Sequence, residues 1–254
     1  MHLPTRITSL LPILMLVGAG WRTAGMPVSV EPHAIPPRAG RGGTVTGKVT
    51  FTGRVPSNPV MNMSTDPRCA ARYATMPHLQ LVVVNPNGTL ANVFVYVKTG
   101  LPDGATYPAP TSPVVLEQTV CEHHPRVFGI MVGQPLEVRN SDPLLHNIRV
   151  LAKQNESFNL ALPTAGTTVT RTFTAPEVML TLVCDAHGWM RAYAGVLPHP
   201  FFATTGTDGQ FTIPGLPPGT YAVEAWHETF GTRTATITVT ENATATVDFA
   251  YTRP

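Results

Sequence analysis

The segment Val178-Met179-Leu180-Thr181-Leu182-Val183-Cys184-Asp185-Ala186-His187-Gly188-Trp189-Met190 joins a strand pattern to a loop rich in metal donors. Val178, Leu180, Leu182 and Cys184 recur at the two-residue period of a β-strand. They therefore share one face, and the thiol points into a core. The strand then ends, and a tight loop can bring His187 and Met190 back toward the sulfur.

Upstream lies Asp142-Pro143-Leu144-Leu145-His146-Asn147, a turn leading into another strand, which can supply a second imidazole. Two imidazole nitrogens, one thiolate and a weak thioether form the trigonal donor set that tunes copper for electron transfer. Imidazoles bind a metal in their neutral form, and the other ring nitrogen needs a partner of its own. Taken singly, Cys184 reads as a core thiol, His187 as a loop residue and Met190 as packing. The four together read as one mononuclear type 1 copper site with ligands His146, Cys184, His187 and Met190. A binuclear copper centre needs a second cysteine in the loop, and a multicopper oxidase needs paired His-x-His motifs; the chain has neither. Zinc suits the two imidazoles and the thiolate, but the thioether favours copper.

Working outward, the chain reads as all-β. Only 13 % of its 254 residues are charged, and 26 Pro and 21 Gly punctuate Thr-rich alternating stretches, as strands joined by tight turns require. Strand patterns fall at 44–51, 81–84, 92–97, 114–118, 127–132, 136–140, 147–151, 167–173, 178–184, 201–205, 211–213, 221–226, 234–240 and 244–251. Asn87-Gly88 and Asp208-Gly209 mark hairpin turns. Asp66-Pro67 can cap one short helix ending near Ala74. No long helical period appears. The formal net charge of +2 is misleading, because Arg6, Arg22, Arg38 and Arg41 face only Glu31 in the first 42 residues. The remainder carries a slight acidic excess and no basic run, so nucleic-acid binding has no electrostatic support.

Residues 1–25 read as a signal peptide, with Arg6 before an apolar run from Ile7 to Ala19 that is short for a membrane span. Residues 26–42 read as a linker. The expected location is periplasmic or secreted, with no stable membrane insertion after cleavage.

The segment 113–197 resembles the cupredoxin (plastocyanin/azurin) family, with an amicyanin-type Cys-x2-His-x2-Met ligand loop. The resemblance implies a Greek-key β-sandwich over 106–197. It also implies the ligand roles just given and a loop-bracing role for Asn147. In such sites one imidazole lies at the surface and serves as the electron port. Trp189 and Leu144-Leu145 would then form either a docking patch around His187 or a shield over the metal. With Cys184 taken as a ligand, Cys69 and Cys121 are left as a candidate disulfide, which an oxidising compartment permits.

A second resemblance lies in Thr205-Gly206-Thr207-Asp208-Gly209-Gln210-Phe211 and Leu216-Pro217-Pro218-Gly219-Thr220-Tyr221. These runs are similar to the carboxypeptidase regulatory-like (transthyretin-like) domain. That family's opening strands match 44–53 and 92–97, before the copper segment. The expected arrangement is a smaller β-sandwich built from 43–105 and 198–254, with the copper domain inserted; the alternative is two domains in tandem.

The expected function is that of an exported one-electron carrier cycling Cu(I)/Cu(II), with a redox protein as partner and no enzymatic activity. The alternatives are copper handling without electron transfer, and a surface carbohydrate-binding module touching glycan through the second domain. His199, Trp226, His227 and Glu228 stand out there as a candidate second site, or as structural residues.

Overall fold

The computed structural model describes residues 42–253. The segment read as a signal peptide, and all of the 26–42 stretch read as a linker except Gly42, lie outside the described residues. Apart from one helical turn, every regular element described is a strand, as the composition implies.

The chain opens with β1 (Gly43–Thr52), the helical turn α1 (Pro67–Ala70) and β2 (Phe94–Thr99). Then come β3 (Val114–Thr119), β4 (Glu122–His124), β5 (Val127–Met131), β6 (Pro135–Asn140), β7 (His146–Leu151), β8 (Phe158–Leu162), β9 (Thr168–Thr172), β10 (Glu177–Val183) and β11 (Arg191–Leu197). The remaining strands are β12 (Phe202–Thr204), β13 (Gln210–Leu216), β14 (Gly219–His227), β15 (Gly231–Val239), β16 (Thr244–Thr246) and β17 (Phe249–Thr252).

Strands β3 to β11 form two sheets, ordered β4-β3-β6-β9 and β5-β11-β10-β7-β8. The pairs β3/β6 and β5/β11 are parallel and the others antiparallel. Leu116, Leu136 and Val138 of one sheet meet Ile130, Ile148, Leu180, Leu182 and Ala194 of the other in a buried core. Alternate residues of each strand supply this core, which is the period-two signal read from the sequence. The other strands form a separate pair of sheets. In one, β1 lies antiparallel to β13 and parallel to β16 and β17; the other runs β12-β2-β14-β15. Their core gathers Val45, Val49, Val93, Val95, Ile213, Tyr221, Val223 and Tyr251.

Three strands carry weak sequence signals. Every residue of β11 from Ala192 to Leu197 is buried, so the strand shows no alternation. Strand β8 is short, and β4 has three residues. The turn between β3 and β4 is Val120-Cys121, both in the left-handed region (φ 49° and 56°). That conformation ordinarily calls for Asn or Gly and is costly for a β-branched side chain. Conversely, the strand expected over 81–84 reduces to a bridge between Val84 and Leu90. The Asn58 side chain takes the place of a ladder partner, accepting from the Val82 N–H at 3.0 Å and donating to its carbonyl at 2.7 Å.

Candidate metal centre

The candidate ligand residues come from neighbouring strands. Cys184 directly follows β10, and His146 opens β7, which pairs with β10 through Val183 and Arg149. The loop closes on itself: the Met190 N–H donates to the His187 carbonyl at 2.9 Å, and the Cys184 N–H to the Met190 carbonyl at 3.3 Å. Asn147 braces it from β7. Its Oδ1 accepts the Asp185 N–H at 2.7 Å and the Ala186 N–H at 3.3 Å, and lies 3.2 Å from the Cys184 thiol.

The fold brings His146, Cys184 and His187 together. His146 Nδ1 and His187 Nδ1 are 2.9 Å apart, and Cys184 Sγ is 3.8 Å from His187 Nδ1. One sulfur and two imidazole nitrogens thus lie within 4.8 Å of one another. Met190 is buried in the same cluster as Cys184, with Met61, Met63, Leu144 and the disulfide. This donor set is soft to borderline and enclosed by apolar side chains, so its chemistry fits copper.

Each imidazole also has an outer partner. His146 Nε2 lies 3.0 Å from Asp142 Oδ2, and His187 Nε2 lies 3.1 Å from Asp66 Oδ2. Asp142 is fully buried and accepts the N–H groups of Val120 at 2.9 Å and Cys121 at 2.7 Å, with Arg72 at 3.1 Å. The left-handed pair Val120-Cys121 therefore has a tertiary cause: it turns two N–H donors onto one carboxylate. Asp66 caps α1 through its Oδ1 and is gripped by the Arg68 guanidinium at 2.9 and 2.8 Å.

The electrostatics follow from these contacts. Burial opposes ionisation of Cys184, but hydrogen bonding to His146 and His187 outweighs it and brings the thiol down to about 6. Burial likewise disfavours charge on His146, yet Asp142 and Cys184 raise it to about 9. His187 is raised against burial by Cys184 and Asp66. Arg68 above all, against burial and aided by His187, holds Asp66 well below the usual carboxylate range.

One expectation changes. His187 is only 2 % exposed and is not a surface port. Asp66, from the segment between β1 and β2, sits on its outer nitrogen, and the Trp189 ring packs 5.1 Å from its own. That segment is tied down by a disulfide between Cys69 and Cys121. Leu144 is buried within the cluster, whereas Leu145 is exposed. Beside Trp189 runs a groove of about 440 Å³, walled by Val60, Leu79, Leu81, Arg126 and Arg191.

Asp66, Met61 and Met63 were not legible as site residues, because they approach from a distant part of the chain. Asp142, four residues before His146, carried a local signal: an acid at a turn beside a candidate ligand. Of the residues singled out near the C-terminus, only Trp226 and Glu228 share a neighbour, Tyr193, and His199 and His227 each pack on a different aromatic ring. His199 packs on Phe201, His227 stacks on Phe230, Trp226 packs on Tyr193, and Glu228 pairs with Arg126.

Residues 197–252 match the carboxypeptidase regulatory-like domain family. Among solved structures, a copper-containing nitrite reductase from Thermus scotoductus SA-01 is 25 % identical over 39 % of this chain (TM-score 0.32), and the match spans 25 % of that chain. A purple cupredoxin from Nitrosopumilus maritimus is 20 % identical over 32 % of this chain and 97 % of its own (TM-score 0.28). An oxidised single-site mutant of amicyanin is 17 % identical over 40 % of this chain and 97 % of its own (TM-score 0.30). No curated protein matches the chain.

Proposed function

We propose that the chain is an exported type 1 copper protein that carries one electron at a time to or from a redox partner. The observation that carries this reading is the convergence of Cys184 Sγ with the Nδ1 atoms of His146 and His187 in a buried cluster that also holds Met190. Copper held by these four residues would supply a Cu(I)/Cu(II) couple. The protein's own part is to keep the donors in place and water out. Asn147 fixes the loop, the two carboxylates orient the imidazoles, and Met61, Met63, Leu144 and Trp189 enclose the site. A fixed, buried donor set suits electron transfer better than metal storage, because Met61, Met63 and Asp66 cover it. The groove beside Trp189, whose ring packs on His187, is the place where a redox protein would dock.

Within this reading, 106–197 is a copper domain inserted into a regulatory-like sandwich made of 43–105 and 198–254. The pairing of β1 with β13, β16 and β17, and of β2 with β12 and β14, supports it. The Cys69–Cys121 disulfide suits the oxidising compartment that a signal peptide implies.

The test is a visible absorption spectrum of the mature chain (about 43–254) titrated with Cu(II). The expected result is an intense thiolate-to-copper charge-transfer band that is lost in Cys184→Ser. A chain that stays colourless and retains no copper would overturn the proposal.

A further inference from the structure

Two carboxylates from different parts of the chain stand behind the two candidate ligand imidazoles, and only one belongs to the sandwich that supplies the ligands. Asp142 is on the turn leading into β7. Asp66 is on the segment between β1 and β2, which lies outside the strands bearing His146, Cys184 and His187.

We infer that Asp66 is a positioning residue for the metal, delivered by the covering segment to the imidazole of His187, and that the site is complete only when that segment is docked. An ionised carboxylate has no proton to give, so the nitrogen it contacts must carry the hydrogen. Asp142 therefore keeps a proton on His146 Nε2, and Asp66 keeps one on His187 Nε2. Both Nδ1 atoms are then the ones turned toward Cys184, consistent with their separation of 2.9 Å from each other. Hydrogen bonding of this kind fixes ring orientation and raises the donor strength of the ligating nitrogen. A nearby negative charge also favours the more highly charged Cu(II). Asp66 is itself held rigidly: Oδ1 takes the Arg68 backbone N–H at 3.0 Å and its Nε at 2.9 Å, leaving Oδ2 shared between the Arg68 guanidinium and His187. The disulfide at Cys69 anchors the same turn to Cys121, whose N–H is bonded to Asp142. The two carboxylates are thus supported through one cross-link.

A purely structural role for Asp66 would end with the α1 cap and the Arg68 pair. Asp66→Asn separates the two roles, since Asn is as good a helix cap but carries no charge. The inference rests on the copper reading for its electrochemical readout and not for its proton readout, so the two ideas can fail separately. In the copper-loaded full chain, Asp66→Asn is expected to weaken Cu(II) binding relative to Cu(I) by at least about tenfold, a rise in midpoint potential of about 59 mV. Arg68→Ala, which leaves the His187 contact in place, serves as the control for the helix turn. In the metal-free chain, proton–nitrogen spectra should show exchange-protected Nε2–H protons on both histidines. Asp66→Ala should lose that of His187 and keep that of His146. A midpoint within twofold of the parent ratio in Asp66→Asn overturns the inference, as does an unchanged His187 proton in Asp66→Ala. A parent chain that takes up no copper but loses the His187 proton on Asp66→Ala would reject the copper reading and leave only the hold of Asp66 on the His187 imidazole standing.

Discussion

Gly195 of β11 lies directly under the ring of Phe94 of β2: a β-carbon built at Gly195 would come within 2.3 Å of two ring atoms. Its strand partner Gly129 faces Phe202 and Phe94 in the same way. The two glycines make a bare patch on the β5/β11 edge, and two aromatic rings from the other pair of sheets lie on it. Phe94 is fully buried and also packs against Tyr96 and Phe202, so the ring has nowhere to go. Gly195→Ala should therefore destabilise the chain by about 1–3 kcal/mol through overpacking. The measurement is the urea unfolding midpoint of the metal-free protein. Partial recovery in Gly195→Ala combined with Phe94→Leu would tie the loss to this contact, and an unchanged midpoint in the single variant would refute it.

Asn147 offers a second prediction. Its one carbonyl oxygen serves the Asp185 and Ala186 N–H groups at the start of the ligand loop. Asn147→Ala leaves those exposed donors to water, so the cost is that of the net hydrogen bonds lost, about 0.5–1.5 kcal/mol each. Stability should fall and copper should leave the loaded protein faster. Asn147→Asp retains the acceptor but replaces the amide that donates to Asp185 Oδ2 at 3.2 Å and Asn159 Oδ1 at 2.7 Å with a second carboxylate oxygen, so it should not restore the parent's stability. Equal copper release from parent and Asn147→Ala, followed with a competing chelator, would show that the loop does not need this brace.

What the sequence disclosed, and what it hid, divides by the range of the interaction. The loop Cys184–Met190 and the turn before His146 are local patterns in which residue type and spacing carry the chemistry. The alternating strands β1 and β15 were legible for the same reason, and β10 from Leu180 onward. Val178, expected on the same buried face, is exposed instead, because a bulge between Glu177 and Leu180 with Met179 in the left-handed region (φ 51°) breaks the alternation. Strand β11 was not, because burial on both faces erases the alternation. The turn at Val120-Cys121 was not, because its left-handed conformation is stabilised by Asp142, more than twenty residues away, and not by a Gly or Asn of its own. The enclosure of His187 was not legible either, since Asp66 reaches it across 121 residues. Local propensity cannot report such a contact.

The buried histidines of the second sheet pair predict a pH dependence. His199 and His227 are 5 % and 1 % exposed. Burial is the main cause that lowers each of them to about 4. In the unfolded chain a histidine titrates near pH 6.5. Between those values the unfolded state binds more protons than the folded one, so stability rises with pH. Their full contribution is present above about pH 6.5 and is lost as pH falls toward 4. Over the whole interval the loss is about 3 kcal/mol per histidine. Unfolding free energies of the metal-free chain measured from pH 7 to pH 4 should show this slope, and His227→Gln should flatten part of it. An identical slope in that variant would assign the dependence to other groups.

The Cys69–Cys121 cross-link closes a loop of 52 residues that contains the rest of the connection to β2, β2 itself, the long connection to β3, and β3. Its removal should act first on the unfolded chain, which gains the freedom that the link denies it. The expected cost for the double variant Cys69→Ala/Cys121→Ala is about 2–4 kcal/mol. The folded state should also change locally. Met61, Met63 and Asp66 reach the site from the segment this bond anchors, while β7, β10 and the ligand loop are held by their own ladders. The double variant should therefore keep the charge-transfer band of the copper-loaded protein but surrender the metal to a chelator faster than the parent does. Retention as slow as in the parent, despite the lost stability, would mean that the cover stays closed without its cross-link and that Asp66 and the apolar contacts suffice to hold it.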